Sequence, residues 1–343
     1  MRTRTSIVLI ASMAVFVRFV AVGGTKVSKF AGEFLSIGVG GRALGLGGAY
    51  VAMANDVTAG YWNPAGLQRI DYPEVSLMHD ERFGNLMNYD YGAVALPVGP
   101  RSTLAVSLIR LGVDGIPDTR GALIDENGNG ILDDVDRLDY SRIKFFNAAD
   151  WALFVSYSKK SSGRLSFGAN VKLIRRELGD NSALGIGFDV GALYTPFGRF
   201  SIGANIQDVT TTLIAWDTGT NELISPTMKV GSSYFLDLLG GTFAPAVDFD
   251  VRFEGRKYAS TVNVGPVSAD LHAGLEYSFR DRLSVRMGYS DIGSLSAGAG
   301  VRLPKLDIDY SFAKFDASDQ LGNTHRISLK FTLRNEQFAR VTE

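Results

Sequence analysis

Lys305-Leu306-Asp307-Ile308-Asp309-Tyr310-Ser311-Phe312-Ala313-Lys314-Phe315 sets the pattern of the chain. Leu306, Ile308, Tyr310 and Phe312 fall on one side of an extended segment, and Asp307, Asp309, Ser311 and Ala313 on the other. Successive side chains of a strand point to opposite faces, so a period of two predicts a strand with one greasy and one polar face. The same division separates Val247, Phe249, Val251 and Phe253 from Asp248, Asp250, Arg252 and Glu254. It separates Leu283, Val285, Met287 and Tyr289 from Ser284, Arg286, Gly288 and Ser290, and Ile327, Leu329, Phe331 and Leu333 from Ser328, Lys330 and Thr332.

Working outward, fourteen such segments lie near 73–79, 87–98, 102–112, 147–159, 164–178, 183–195, 199–211, 225–237, 244–255, 267–279, 282–290, 294–304, 305–315 and 324–333. The number is even. Connections after even-numbered segments are mostly short and rich in turn residues, as at Gly99-Pro100, Ser161-Ser162-Gly163 and Arg280-Asp281; those after odd-numbered segments include the long stretches 113–146, 212–224, 256–266 and 316–323. A soluble sandwich also alternates. Strand number, loop asymmetry and an export signal together favour an all-β fold, a transmembrane antiparallel β-barrel of about fourteen strands whose termini and short turns face the periplasm. Closure satisfies every backbone group inside lipid. Outer-membrane lipid is then the first partner. Tyr91, Trp151, Tyr157, Tyr194, Tyr277, Phe279, Tyr289 and Phe315 lie near strand ends, where interfacial girdles place aromatics.

The export signal is read from Arg2 and Arg4, the apolar run 6–17 that Arg18 interrupts, and small residues at Ala21 and Gly23, which place cleavage near Gly23. No later segment approaches the ~20 apolar residues of a membrane-crossing helix. The resulting division is a signal peptide at 1–23, an N-terminal hatch segment at 24–72, the barrel at 73–333 and a periplasmic tail at 334–343.

Charge and composition exclude other classes. Lys and Arg number 35 against 36 Asp and Glu, so there is no basic field to hold a phosphate backbone, and nucleic acid is excluded as a partner. There is no Cys, hence no disulfide framework, thiolate cluster or Cys nucleophile. His79, His272 and His325 are the only histidines, and no metal-hydrolase, nucleophile-elbow or P-loop motif is present, so no enzyme and no catalytic cofactor are expected. His272 beside Asp270 on a polar face could form the acid–base pair of a surface hydrolase. A lumen-lining network accounts for the same residues: Asp248, Asp250, Arg252, Glu254, Asp270, His272, Glu276 and Arg286 fall on the polar faces of neighbouring strands.

Before the first strand stands a Gly-rich stretch, Gly38-Val39-Gly40-Gly41-Arg42-Ala43-Leu44-Gly45-Leu46-Gly47-Gly48-Ala49-Tyr50-Val51-Ala52, followed by Tyr61-Trp62-Asn63-Pro64-Ala65-Gly66-Leu67. Gly38-x-Gly40-x-x-Ala43 superficially matches a dinucleotide fingerprint, but no βαβ pattern follows it. Asn63 before Pro64 suits a helix start, with the amide as cap and proline at the first helical position. Glycines such as Gly47 and Gly48 allow close backbone approach, as a plug in a lumen requires. A Gly-rich first hairpin without a gating role is the plainer alternative.

These two stretches resemble the N-terminal hallmark of the PorV/PorQ family, within the wider group of fourteen-stranded outer-membrane proteins typified by the FadL transporter, whose N-terminal hatch carries an Asn-Pro-Ala motif. The resemblance implies Asn63, Pro64 and Ala65 as the hatch motif. It also implies one of two roles. The first is type IX secretion, with secretion components and the C-terminal domains of exported proteins as partners and cell-surface attachment as outcome. The alternative is transport of hydrophobic small molecules, such as fatty acids, across the outer membrane.

One loop carries a further signal. In Asp125-Glu126-Asn127-Gly128-Asn129-Gly130-Ile131-Leu132-Asp133-Asp134-Val135-Asp136 the spacing of a twelve-residue calcium loop is met. Asp125, Asn127, Asn129, Asp133 and Asp136 supply side-chain oxygens and Ile131 a carbonyl. Asp136 stands where a bidentate Glu is usual. Ca2+ there would stiffen a long surface loop; an acidic Asx-Gly turn is the competing explanation.

Overall fold

A computed structural model describes residues 27–28, 32–84, 86–131, 133–134, 136–253, 260–290, 294–314 and 323–340. The expected signal peptide, Glu254, Phe315, residues 256–259 of the loop 256–266 and residues 316–322 of the loop 316–323 lie outside the described residues.

The wall consists of β1 (Glu74–Arg82), β2 (Met87–Pro97), β3 (Ser102–Asp118), β4 (Lys144–Lys160), β5 (Leu165–Leu178), β6 (Asn181–Phe197) and β7 (Phe200–Gln207), continued by β8 (Thr227–Tyr234), β9 (Gly241–Arg252), β10 (Val267–Phe279), β11 (Leu283–Tyr289), β12 (Leu295–Arg302), β13 (Leu306–Lys314) and β14 (Asn323–Thr332). Each strand pairs antiparallel with the next, and β14 returns to β1 with Leu77 opposite Leu329. The result is a closed fourteen-stranded barrel.

Polarity runs opposite to that of a soluble core. Val94, Leu104, Val171, Ile186, Phe249 and Val285 are exposed on the outside, whereas Asp80, Ser107, Asp189, Asn205 and Asp270 are buried on the inside. An apolar exterior of this extent cannot face water over a whole cylinder without association; it suits lipid, which also demands the closed ladder. No helix among the described residues is long and apolar enough to cross a membrane, so the strands are the spanning elements.

The lumen is filled by the chain's own residues 32–70. They form a 3-10 turn (Glu33–Ser36), helix α1 (Gly41–Gly45), helix α2 (Ala59–Trp62) and a second 3-10 turn (Pro64–Arg69). Tyr50, Met53, Leu46, Leu67 and Trp62 of this segment pack with inward-facing Tyr89, Ile109, Phe154 and Ile174 of the wall, so the apolar core lies inside the barrel. Trp62 meets Tyr61 edge-on, with ring centroids 5.0 Å apart.

Several sequence expectations are corrected here. The long loop shrinks from 113–146 to 119–143 because β3 and β4 continue their ladder past a bulge between Val113 and Ile116. The loop 212–224 holds a hairpin, Thr212–Trp216 with Asn221–Ile224, whose first strand extends the pairing of β6. Tyr91 is not an interfacial residue: it shares the inward parity of Tyr89 and Ala93 and is buried, while Tyr157, Tyr194 and Tyr289 do face outward. Nor do the first described residues lie at the short-turn rim. Val27–Ser28 runs parallel to Asn221–Glu222 at the long-loop rim, because the luminal segment descends the barrel before entering β1 at the opposite end. The C-terminal end does sit at the short-turn rim, where Arg340 donates to Ile70 O (2.7 Å), Thr103 Oγ1 (2.6 Å) and Gly99 O (3.1 Å).

Close contact between the luminal segment and the wall depends on missing side chains. A Cβ on Gly288 of β11 would overlap the backbone of Leu46 and Gly47, and one on Gly47 would lie 2.6 Å from the backbone of Tyr289. Gly288→Val therefore forces segment and wall apart. It should cost the detergent-solubilised protein about 1–3 kcal/mol of stability, the usual range for overpacking, read from a lowered denaturation midpoint. Gly163→Ala, in an exposed turn with open space around it, should leave the midpoint unchanged.

Candidate functional site: the luminal segment and the cavity above it

Asn63 anchors the lower half of the segment. Its Oδ1 accepts from Ala65 N–H (3.2 Å), which caps the turn that Pro64 opens, and its Nδ2 donates to Val51 O (2.9 Å) and Ala192 O (3.1 Å). A side chain on Gly168 or Gly191 would collide with Pro64 and Ala65 or with Asn63, so β5 and β6 supply a flat bed for this motif. Further bonds tie backbone to wall: Asn170 donates to Gly60 O (2.7 Å), Asn205 to Trp62 O (3.0 Å) and Gln68 to Ser158 O (2.9 Å). A segment with short helices exposes unpaired carbonyls, and the wall amides of Asn170 and Asn205 satisfy two of them, while Gln68 of the segment serves a carbonyl of the wall.

Arg42 ties the segment to the wall by charge. Arg42, the one ionic side chain between residues 38 and 55, donates from Nε and Nη2 to both oxygens of Glu276 (2.8 Å each) and from Nη1 to Asn55 Oδ1 (2.7 Å). Glu276 also accepts from Arg286 Nε (2.6 Å), whose Nη1 reaches Asp309 Oδ1 (2.6 Å). Burial opposes the charge on Arg42, but Glu276, Tyr50 and Asp56 more than offset it, and the guanidinium pKa is raised well above its ordinary value. Asp56 is likewise opposed by burial, yet Lys330, Arg42 and Thr58 hold it below its usual value. Its contribution to stability is therefore present above the ordinary carboxylate pKa, roughly 3.9, and is lost as pH falls through the lower folded value. Arg69, by contrast, is pushed down to about 10 by burial, since it meets Ala52 O and the hydroxyls of Ser201 and Thr195 rather than a carboxylate.

The described residues read from the sequence as one polar network gather around two ion-pair centres, with Asp248 in register with His272 and Asp270 in register with Asp250. Glu276 and Arg286 form the first cluster with Arg42. Asp250 and His272 form the second with Lys229, which pairs with Asp250; His272 Nδ1 is 2.7 Å from Gly47 O and Nε2 is 3.5 Å from Asp250 Oδ2. Asp248 accepts the Val51 N–H (2.7 Å), Asp270 is buried in β10, and Arg252 faces open space at the end of β9. His272 thus pins the backbone at Gly47. Sequence reading missed Arg42, Lys229, Asp80 and Arg326. A lone charge in a long Gly- and Ala-rich run was the available signal for Arg42; the other three depend on which strands become neighbours.

Above the segment, toward the long-loop rim, lies a cavity of about 310 Å³. Arg82, Lys229, Arg252 and Arg326 line it, with Glu33 and Asp250 as the lining carboxylates among the described residues. Ser36, Ser290, Ser294 and Ser296 add hydroxyls, and Ile37, Leu44, Trp62 and Ala313 the apolar surface. The pocket is mixed in character.

The acidic loop lies at the tip of the β3–β4 hairpin, beside the ribbon of Leu123–Ile124 with Arg137–Leu138. Asp125 accepts backbone N–H groups of Gly128 (2.5 Å), Asn129 (3.2 Å) and Gly130 (2.7 Å). Asn127 and Asn129 both donate to Asp133 Oδ2, and Asp136 accepts from the N–H groups of Glu126 and Asp133. The Ile131 side chain is exposed, and Leu132 and Val135 lie outside the described residues.

Comparison with solved structures places this architecture. A Pseudomonas aeruginosa FadL homologue aligns with TM-score 0.53 at 14% identity, covering 84% of this chain and 98% of that one. The fold is FadL-like. The CymD monoaromatic hydrocarbon channel aligns with TM-score 0.58 at 14% identity over 87% of this chain and 98% of its own. The P. putida toluene transporter TodX gives 0.56 at 12% identity over 87% and 99%. No protein-family model and no curated protein matches the sequence, so the likeness is one of fold.

Removing Arg42 leaves Glu276 buried with a single partner. Arg42→Ala should cost about 3–5 kcal/mol, as for a broken buried pair, read from the denaturation midpoint in detergent. Arg42→Lys should recover only part of this, because an ammonium cannot bridge both oxygens of Glu276 and Asn55 together.

Proposed function

We propose that this chain is a hatch-gated outer-membrane channel for small organic molecules, in the manner of the FadL-like transporters. The observation that carries the proposal is the luminal segment 32–70. It fills the barrel, contacts it through hydrogen bonds and ion pairs rather than covalently, and leaves a cavity on its long-loop side. A ligand entering from the long-loop rim would settle there, and passage requires the segment or the adjacent wall to yield. The solved FadL-like channels named for toluene and monoaromatic hydrocarbons support a small organic cargo. The alternative role in type IX secretion draws its support from the N-terminal sequence resemblance, which concerns the same segment.

A lock tests the gate. An ideal Cβ on Gly41 lies 3.0 Å from Ser328 Oγ, the separation between a Cβ and the far sulfur of a disulfide, and the chain has no other cysteine. Gly41→Cys with Ser328→Cys should arrest solute flux into proteoliposomes when oxidised and restore it on reduction. Unaltered flux in the oxidised form would refute gating by this segment. In cells, surface display of proteins with type IX C-terminal domains, lost on deletion of the gene, would instead support the secretion role.

For residues 125–136 we propose Ca2+ as a stiffening ligand of the hairpin tip. Side-chain oxygens of Asp125, Asn127, Asn129, Asp133 and Asp136 with the Ile131 carbonyl would hold it, a donor set that suits a hard cation. Millimolar Ca2+ should slow cleavage of the 119–143 loop by a nonspecific protease at least several-fold, and Asp125→Ala should abolish that protection.

A further inference from the structure

We infer that the short-turn rim of the barrel is a binding surface for the anionic headgroups of phospholipids in the leaflet beside it. The surface lies outside the lumen, so it is independent of how the channel reading fares. Three observations lead to it.

The first is sign. Several cations of this rim already have company: Arg199 pairs with Asp237, Arg302 lies 3.6 Å from Asp307, Arg340 lies 3.9 Å from Asp71, and Arg101 has a partner of its own. Arg280 shares a shallow depression with Asp237 and Asp281. With all of these set aside, Lys159, Lys160, Arg164, Arg282, Lys305 and Arg334 remain, each exposed and without an ion pair among the described residues. The exposed carboxylates to set against them on the same connections, among the described residues, are Asp281 and Glu336. The formal charge of the whole chain is -1, so this excess of cations is local to the rim.

The second is placement. Lys159, Lys160 and Arg164 flank the turn between β4 and β5. No Asp or Glu occurs between Asp150 and Glu177, and none occurs on the two neighbouring short turns, between Asp90 and Asp114 and between Asp189 and Asp208. Arg282, Lys305 and Arg334 form a second group on adjacent connections, which backbone bonds from Arg302 N–H to Arg282 O (2.8 Å) and from Thr332 N–H to Lys305 O (3.0 Å) hold side by side. Each group therefore presents several cations to one neighbourhood of the rim.

The third is the border with hydrocarbon. Phe167 stands opposite Lys159 in the ladder of β4 and β5, and Tyr157 lies two residues before Lys159 on the same outward face. Leu283 follows Arg282, Leu303 stands two residues before Lys305, and Leu333 precedes Arg334, all three exposed. Cations at such a border lay their stems along apolar surface and carry their charge to headgroup depth. A soluble acidic partner would meet the end of the barrel rather than this lipid-facing flank, so a lipid fits better. A headgroup of net negative charge is attracted by every cation of a group, whereas a zwitterionic one brings an ammonium that the same cations repel. The attraction fades within a Debye length and so selects lipids of the first shell.

Spin-labelled phosphatidylglycerol and phosphatidylcholine test this by electron spin resonance, with the intact protein reconstituted in phosphatidylcholine bilayers. Phosphatidylglycerol should associate with the protein about twofold or more in preference to phosphatidylcholine, and NaCl at roughly 1 M should bring the two close to parity. Lys159→Gln, Lys160→Gln and Arg164→Gln together should remove part of the preference, and adding Arg282→Gln, Lys305→Gln and Arg334→Gln should abolish it. Circular dichroism would confirm that both variants keep the barrel. Arg120→Gln with Arg137→Gln and Arg142→Gln removes as much charge as the first variant from exposed positions of the 119–143 loop at the opposite rim, and should leave the preference intact. Equal association of the two lipids overturns the inference, as does a preference that survives all six substitutions or falls as far in the opposite-rim variant as in the first. Retention of the detergent-solubilised protein on immobilised polyglutamate, lost in the six-substitution variant and without any lipid preference, would assign the rim to a soluble acidic partner and overturn it as well.

Discussion

A ladder that closes on itself, β14 against β1, leaves no edge and no backbone group for the lipid to satisfy. The same closure fixes which side of every strand is inside. Leu, Val and Phe side chains turn outward because lipid accepts them, and the inward parity is left with Ser, Asn, Asp and Arg. A cylinder with that lining must be filled with water or with something able to pair with it. Here the filler is the chain itself. Residues 32–70 bring carbonyls, N–H groups and Arg42 to the very groups the wall presents. They also bring an apolar interior of their own, to which the wall contributes Tyr89, Ile109 and Phe154.

Two kinds of contact share the work along the segment. Around Asn63, Pro64 and Ala65 the fit is steric: wall glycines let backbone lie on backbone, and the Asn63 amide donates to the Ala192 carbonyl of the wall. Leu46 and Gly47 are seated in the same way against Gly288. Around Arg42 the contact is ionic, centred on Glu276 between two arginines.

The barrel was legible in the sequence because a single physical rule writes it. Strand parity, read from segments such as 305–315 and 244–255, needs no knowledge of neighbours. Boundaries followed local turn residues well where a tight turn exists and poorly where the ladder outruns the membrane, as in β3 and β4 beyond residue 112. Tyr91 was misplaced because proximity to a strand end says nothing of which face it occupies. For the site, Asn63 announced itself through local capping chemistry, and Arg42 could have been found as a lone charge in an apolar run. Lys229, Arg326 and Asp80 could not, since their partners are set by where strands distant in sequence meet in space.

Period-two alternation, the even strand number and the Asn63-Pro64 turn were thus determined by the sequence alone, because each is a matter of neighbours along the chain. Only the tertiary structure decided that the luminal segment enters from the long-loop rim, that the polar inward faces gather around two ion-pair centres, and that a cavity lies above Trp62 and Leu44. Those features arise when strands far apart in the chain come to face one another across a lumen, and no local pattern encodes which charges meet there.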